Sequence, residues 1–454
     1  MSTAQPSDGR PLARGLRLWP ATTANIINMV GIGPFITLPL IIGVMGGPQA
    51  MLGWIAGALL SLCDGLVWAE LGAAMPGSGA SYHYLLEAYG RNGLGRLMRF
   101  LFLWQVILLA PLSAASGAVG FAQYAAWLIP GIDPVWTKPV AAGACLLVTV
   151  LLYRDIREVG RLTVILGVVV VAVLGWIVIA GLLHFHAELA FNFPAGAWRM
   201  TPQFFAGLAS ATLLAVYGYG GYSNVCYIGG EVEDPARNIP RAIVLSIVIV
   251  GVLYLGMSLA VLGVIPYREA MHSSSIIAEF AQRLYGLATA RFITLLILIA
   301  AFASVFAILL GYSRVPYTAA VDGEFFRIFG RLHPTKRFPS FAVVALGLAA
   351  AVCCLIPLQD LIGIIIVTQI VIQFVPQCLG VILIRRYRKH IHQPFRMWLY
   401  PLPAILALFG WIAILFTSNS RYALLAGCVL VMGVLAYFVR ARGRREWPFM
   451  RASA

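Results

Sequence analysis

The sequence predicts an all-α membrane protein of twelve transmembrane helices, arranged as two inverted five-helix repeats whose opening helices, the first and the sixth, are broken. Three observations carry this. The 454 residues are 61% hydrophobic and only 11% charged, with a mean hydropathy of +0.88, whereas soluble domains carry roughly 25% charged residues. Apolar runs near the ~20 residues that a bilayer core requires recur along the whole chain. Glycine clusters interrupt two of those runs five helices apart, Gly31-Ile32-Gly33-Pro34 and Gly218-Tyr219-Gly220-Gly221.

In order, the first six helices are expected over 20–45, 49–74, 99–129, 137–153, 162–184 and 202–230. The remaining six are expected over 241–265, 289–320, 341–358, 361–385, 399–417 and 421–440. The first follows Arg10, Arg14 and Arg17 as a signal peptide would, but it is too long and flows into further spans, so it reads as a retained transmembrane segment. The ninth and tenth are separated by a short turn at Pro357 and Asp360. Residues 270–285 predict an interfacial helix on the outer face, with Ser273–Ser275 as caps. The chain thus divides into a cytoplasmic tail over 1–19, an inverted-repeat core of helices one to ten over 20–386, helices eleven and twelve over 387–441, and a second cytoplasmic tail over 442–454.

The balance of 32 Lys+Arg against 17 Asp+Glu gives a formal charge of +15. The basic residues flank apolar runs instead of interleaving with aromatics on a polar surface, which argues against a nucleic-acid partner. With the N-terminus, the even-numbered loops and the C-terminus on one face, that face carries 26 of the 32 basic residues. The other face holds Lys138, Arg199, Arg268, Arg283, Arg291 and Arg421. Basic loops are retained inside during insertion, so both termini are expected in the cytoplasm, with the protein in the cell (inner) membrane. All seven cysteines fall within or beside apolar runs, where Cys behaves as a small hydrophobe. Neither a CxxC nor a Cys/His cluster occurs, so no metal, cofactor or disulfide framework is predicted.

The glycine breaks are where chemistry can sit. Glycine inside a helix costs about 1 kcal/mol relative to alanine, and freed backbone groups are tolerated at membrane depth only where protein or a cavity satisfies them. Close helix packing explains one such cluster as well as a site does. Two of them, opening repeats that enter from opposite faces, match the architecture in which substrate binds near the midplane. The half-helix starting near Gly33 offers N–H groups to an anion, and those ending near Val30 and Gly218 offer carbonyls to an ammonium. Together they suit a zwitterion. Pro34 sits where its missing N–H costs least, at the price of one anion donor.

At these residues the chain resembles the amino acid/polyamine/organocation (APC) superfamily, and within it the amino acid transporters related to the L-type exchangers. Gly31-Ile32-Gly33-Pro34-Phe35 is similar to the family's GSGIF motif, and Tyr217 to Tyr222 (YGYGGY) to its FAYGGW segment. Glu231 to Ile243 (EVEDPARNIPRAI) resembles EEMKDPKKNLPRAI, and Ser313 to Gly323 (SRVPYTAAVDG) resembles SRIPYAMARDG. Ala69-Glu70-Leu71, Pro76 to Gly79 and Pro394-Phe395-Arg396 continue the likeness. The resemblance implies a LeuT-like fold and alternating access around a central site. It also implies substrate-binding roles: the amides of Ile32 and Gly33, beside Gly31, for a carboxylate; carbonyls near Met29, Tyr217 and Gly220 for an amine; Tyr217 as an aromatic gate; and Ser223 in the side-chain pocket, with Gly218 and Gly221 as further substrate-binding candidates in the second break.

Departures from the family bear on mechanism. Many members that work without sodium carry a lysine in the fifth helix, but Thr163 to Gly175 contains no charge, and Val169 or Val170 occupies its place. Pro34 is similar to the GGPF of polyamine uptake transporters, and Asp64 in the second helix matches a glutamate of that group. A carboxylate within a span is costly and often functional, which makes Asp64 the proton-coupling candidate; a hydrated position toward the cytoplasmic end, or a structural role, is the alternative. Glu70 reads as a structural contact nearer the interface, and Gln105, Gln369, Gln373 and Gln377 as interhelical hydrogen-bonders. Glu231, Asp234 and Arg314, with Arg237 and Arg241, are inner-gate candidates, a solvated loop being the other reading.

The function expected is secondary active transport of a small amino acid, a neutral zwitterion, with proton, sodium or exchange coupling all open. Neither glycine break has an acidic neighbour for a second ammonium, which places a polyamine or cationic amine second. The chain lacks HExxH, GxSxG, a Walker motif and filter-like repeats, which argues against a membrane enzyme, an ATP-driven pump or a channel. With cysteine absent from the outer loops, a monomer or homodimer is expected in place of a disulfide-linked heteromer.

Overall fold

A computed structural model describes residues 16–449 apart from 78, 92, 130–133, 153–158, 322, 332–338 and 445. The chain opens with α1 (Leu18–Met29) and α2 (Gly33–Met45), which meet at 52°. There follow α3 (Met51–Ala74), α4 (Ser81–Tyr89), α5 (Leu94–Leu128), α6 (Thr137–Leu152), α7 (Val159–Leu183) and the single turn α8 (Ala187–Ala190). Next come α9 (Pro202–Tyr219), the single turn α10 (Asn224–Tyr227), α11 (Pro235–Leu262), the turn α12 (Tyr267–Ala270) and α13 (Ile276–Val321). The last elements are α14 (Ser340–Cys353), α15 (Leu358–Gln369), α16 (Val375–Tyr387), α17 (Leu402–Thr417) and α18 (Ser420–Arg444), with a π-helical turn over Ile370–Phe374 joining α15 to α16. Among the described residues the β pairing is one parallel bridge, Leu16 to Val232.

Six of these segments are long and apolar enough to cross a bilayer, and the bent α1/α2 pair makes a seventh. Helices α6, α14 and α17, with 171–183 of α7, are shorter apolar segments. Three expectations are corrected. The sixth helix stops at Tyr219, and beyond Gly220–Ser223 only α10 and a 3-10 turn over Gly229–Glu231 remain; Gly221 at φ +120° and the pair Gly229-Gly230 withhold a second long half. Helix α11 starts at Pro235, six residues early, because proline at a first helical position sacrifices an amide without an acceptor. The helix expected over 270–285 starts instead at Ile276, after a turn in which the Ser275 amide is taken by Ser273, and Gly286 at φ +80° kinks α13 beyond it. Its start is capped by the Ser273 hydroxyl, which donates to Glu279 at 2.7 Å and accepts from the Ser275 amide at 3.2 Å.

The centre is built by small residues on α3. A Cβ on Gly53 would lie 2.7 Å from the Ala211 Cβ, and one on Gly57 2.8 Å from the Ala215 Cβ. The i, i+4 spacing on both helices is the small-on-small packing that lets membrane helices approach without a hydrophobic drive. Gly65 and Gly72 continue the stripe, facing Ile247 and Cys226. Helix α3 is thus clamped to α9 and α11, and the broken segments lie against this block.

Candidate functional site

Each break follows from its glycines. Helix α1 ends at Met29 and α2 restarts at Gly33 with Pro34 in its first turn, so the amides of Ile32 and Gly33 have no intrahelical acceptor. Gly221 holds φ +120°, and a Cβ there would sit 2.8 Å from the Asn28 carbonyl carbon and 3.0 Å from the Met29 nitrogen. The two breaks therefore cross backbone against backbone. Gly33 lies on the Tyr217 ring, to which a Cβ would approach within 3.6 Å, and the same test at Gly31 meets Ser304 Oγ at 3.2 Å. The Tyr217 hydroxyl shares a 2.7 Å hydrogen bond with Ser116 on α5. Nine sequence-derived residues, Met29, Gly31, Ile32, Gly33, Tyr217, Gly218, Gly220, Gly221 and Ser223, thus belong to two crossing segments. Within these, Ile32 is buried and Gly220 exposed.

Two residues that hold this arrangement were missed from sequence. The Asn25 side chain donates to the Tyr222 carbonyl at 2.6 Å and accepts from the Val225 amide at 2.9 Å, so α1 supplies the cap for the turn after the second break. The Tyr254 hydroxyl on α11 lies 2.9 Å from the Met29 carbonyl and 3.0 Å from that of Gly218, the two groups expected to face an amine. Each carbonyl has a second lone pair, so this contact aims them without exhausting them. Behind it, Trp54 packs on Tyr219 and Tyr254 with ring centroids 6.0 and 5.0 Å away. Asparagine in an apolar run was a visible signal; tyrosine in a membrane helix was not.

Asp64 is completely buried, which corrects the hydrated alternative. Its carboxylate accepts from the Tyr222 hydroxyl at 2.6 Å, the Trp411 indole at 3.1 Å and the Cys378 thiol at 3.6 Å. Phe374, in the π-helical turn, stacks on Trp411 at 4.4 Å. Glu70 is structural as expected: Arg385 donates to it through two nitrogens at 2.5 and 2.6 Å, and the Met397 amide adds a bond at 2.8 Å. Gln105 donates to Gln373 at 2.7 Å, Gln373 to Ser81 at 3.2 Å, and Ser81 to Gln377 at 2.5 Å. On α4, outside the spans, burial pushes the Tyr89 phenol up to about 12, and its hydroxyl donates to the Pro376 carbonyl at 2.9 Å.

Among the described residues, the inner-gate candidates form one ion pair. Asp234 faces Arg237 at 3.8 Å on the exposed start of α11, and the Arg314 side chain lies outside the described residues. Among the described residues no ion pair reaches Glu231; its backbone carbonyl accepts from the Leu16 amide at 3.0 Å instead. The Glu233 amide donates to the Leu16 carbonyl at 2.9 Å and its carboxylate meets Arg17 at 3.1 Å, so the start of α1 is zipped to the segment after the second break. This backbone pairing is invisible in side-chain charges.

The chain matches the family model for amino acid permeases over residues 16–435. Human cationic amino acid transporter 4 is 26% identical over 370 residues, 77% of this chain and 56% of that protein, so the chain spans little more than half its length. Human Asc-type amino acid transporter 1 is 26% identical over 438 residues, covering 94% of this chain and 82% of the relative. The branched-chain amino acid permease BcaP of Bacillus subtilis is 25% identical over 474 aligned residues, covering 97% and 95%. The family and these relatives are transporters, not enzymes. With apolar spanning helices and a match that takes in both broken segments, this multi-pass membrane protein belongs to the amino acid permease family of the APC superfamily.

Proposed function

We propose that the chain carries a small neutral amino acid across the cytoplasmic membrane by alternating access, in a twelve-helix, LeuT-like inverted repeat with both termini in the cytoplasm. The core would comprise 20–386, with helices eleven and twelve beyond it. The observation that carries the reading is the crossing of two helix breaks at Gly221 and Asn28–Met29, which puts the acceptor-less amides of Ile32 and Gly33 near carbonyls aimed by Tyr254. Amides at a helix start suit a carboxylate, and carbonyls suit an ammonium. Tyr217 would close over the substrate and Ser223 would border its side chain. The relatives, named as Asc-type, branched-chain and cationic, agree on amino acids and differ on the side chain. Neutral is favoured because Asp64, with its three donors, is turned to Tyr222, Trp411 and Cys378.

Asp64 would carry the coupling proton. Protonation removes the anion to which Tyr222 donates, and Tyr222 belongs to the second break, so gain or loss of the proton alters the hold on that segment. Closure toward the cytoplasm would use the Leu16–Val232 bridge and the Arg17–Glu233 pair.

Thermal stability of the purified protein against panels of neutral amino acids and diamines tests the substrate. A ligand at 100 times its Kd that binds only the folded state adds about 2.7 kcal/mol. Stabilisation by neutral amino acids alone is expected. Stabilisation by putrescine or spermidine instead would overturn the substrate assignment and recast Asp64 as a cation-recognition group.

A further inference from the structure

Away from the breaks, a cavity of about 350 Å³ opens where the start of α5 meets the end of α18, lined by Leu86, Arg91, Arg96, Arg99, Glu324, Arg440 and Glu446. Four guanidinium groups face two carboxylates among these lining residues. Arg440 is committed to Glu324 and to Glu446, the latter at 3.1 Å, and Arg99 reaches Glu324 at 3.8 Å while stacking over the Tyr82 ring. Arg91 is held at the mouth by Glu87. Arg96, half-buried, makes no ion pair among the described residues; its Nε donates to the Arg91 carbonyl at 3.1 Å, which leaves the two terminal nitrogens for a ligand.

A half-buried guanidinium beside further arginines calls for an anion, and the fork geometry of arginine suits phosphate oxygens. The surroundings indicate where that phosphate comes from. Only 17% of the apolar stretch of α18 is buried, against 72% for the stretch through α15 and α16, so α18 faces lipid. Leu435 and Val439, one turn apart just before Arg440, are 59% and 78% exposed. Basic pockets between helix ends at the cytoplasmic surface bind anionic head groups. We propose that this cavity binds the phosphate of an anionic phospholipid such as phosphatidylglycerol, through Arg96 and Arg91, with the acyl chains on the Leu435/Val439 face. The site lies at the edge of the helix bundle and does not depend on which substrate is carried.

Native mass spectrometry of the full chain released from nanodiscs containing phosphatidylglycerol and phosphatidylcholine tests this. Phosphatidylglycerol is expected to be retained in preference, with about fivefold weaker retention for each arginine neutralised in R96Q or R91Q, and with R96K keeping most of it. The exposed Arg91 guards against R96Q simply misfolding. In a parallel arm, inorganic phosphate is added to delipidated protein at matched ionic strength, and no thermal shift is expected. Equal retention of the two lipids, or retention in R96Q and R91Q equal to the parent, would overturn the site. A shift with inorganic phosphate as large as that with phosphatidylglycerol would assign the cavity to a soluble anion and overturn the lipid.

Discussion

Replacing Gly221 with alanine tests the crossing of the two breaks most directly. The new Cβ would lie 2.8 Å from the Asn28 carbonyl carbon and 3.0 Å from both the Asn28 oxygen and the Met29 nitrogen, on a residue at φ +120°. Backbone held in such a region costs about 1–3 kcal/mol for a residue with a side chain, and overpacking adds about 1–3 kcal/mol. Together these predict a loss of about 2–6 kcal/mol, with substrate binding weakened because relief requires the breaks to part. Every atom in the clash is backbone, so no truncation of a neighbouring side chain can rescue it. Gly57→Ala is the control: its Cβ meets the Ala215 Cβ at 2.8 Å, and Ala215→Gly removes that atom. Equilibrium unfolding in mixed micelles and ligand-induced thermal shift should show G221A impaired in both respects, and G57A restored by A215G. If G221A loses less than about 1 kcal/mol and binds substrate like the parent, the breaks do not touch as described and the reasoning fails.

Tyr254→Phe removes the hydroxyl shared by the Met29 and Gly218 carbonyls and should cost about 1–3 kcal/mol together with a raised Kd for the amino acid; unchanged affinity would remove Tyr254 from the site. Glu70→Gln leaves Arg385, 16% exposed in its side chain, without its charge partner. A loss of about 3–5 kcal/mol is expected, with Kd unchanged, and a parent-like unfolding curve would count against the structural role. Asp64→Asn tests the proton in proteoliposomes: uptake by the parent should rise as external pH falls, because protonated Asp64 accompanies substrate inward, and the variant should show a flat profile. A variant that keeps the slope would place the proton elsewhere.

The parts of the fold legible in the sequence were those set by local chemistry. Gly31-Ile32-Gly33-Pro34 fixed the first break because glycine weakens and proline starts a helix, and α2 begins at Gly33 as that grammar requires. The second break was legible in position but not in extent: Gly229-Gly230 marks where helix fails, but the cap that Asn25, some 200 positions away, gives the Val225 amide has no local signature. Asp64 was visible as a costly residue, but its burial was not, because Trp411 and Cys378 arrive from helices more than 300 positions on. The contact between the start of α1 and the segment after the second break was not legible either: the charges of Glu231, Asp234 and Arg314 invited an ionic reading, whereas the pairing with Leu16 is between backbone groups, which have no side-chain signature. The lysine-free stretch of α7, by contrast, needed no structure, since an absent charge is a local fact.

These contacts tie the second break to two different helices. Helix α3 is bound to α16 and the chain before α17 through Glu70 and Arg385, and to α17 through Asp64 and Trp411. The second break is joined to α3 by the Tyr222 hydroxyl on Asp64, and to α1 by the Tyr222 carbonyl on Asn25. Tyr222 thus has its hydroxyl on α3 and its carbonyl on α1. A change at Asp64 need not travel through a long chain of packed residues to reach the substrate segments, because a single side chain separates the carboxylate from the peptide that Asn25 grips. A coupling claim needs an element with two arrangements that both sites bias. Under the proposed proton role the Tyr222 side chain would supply one: bonded to an ionised Asp64, or released from a protonated one while Asn25 still holds its backbone.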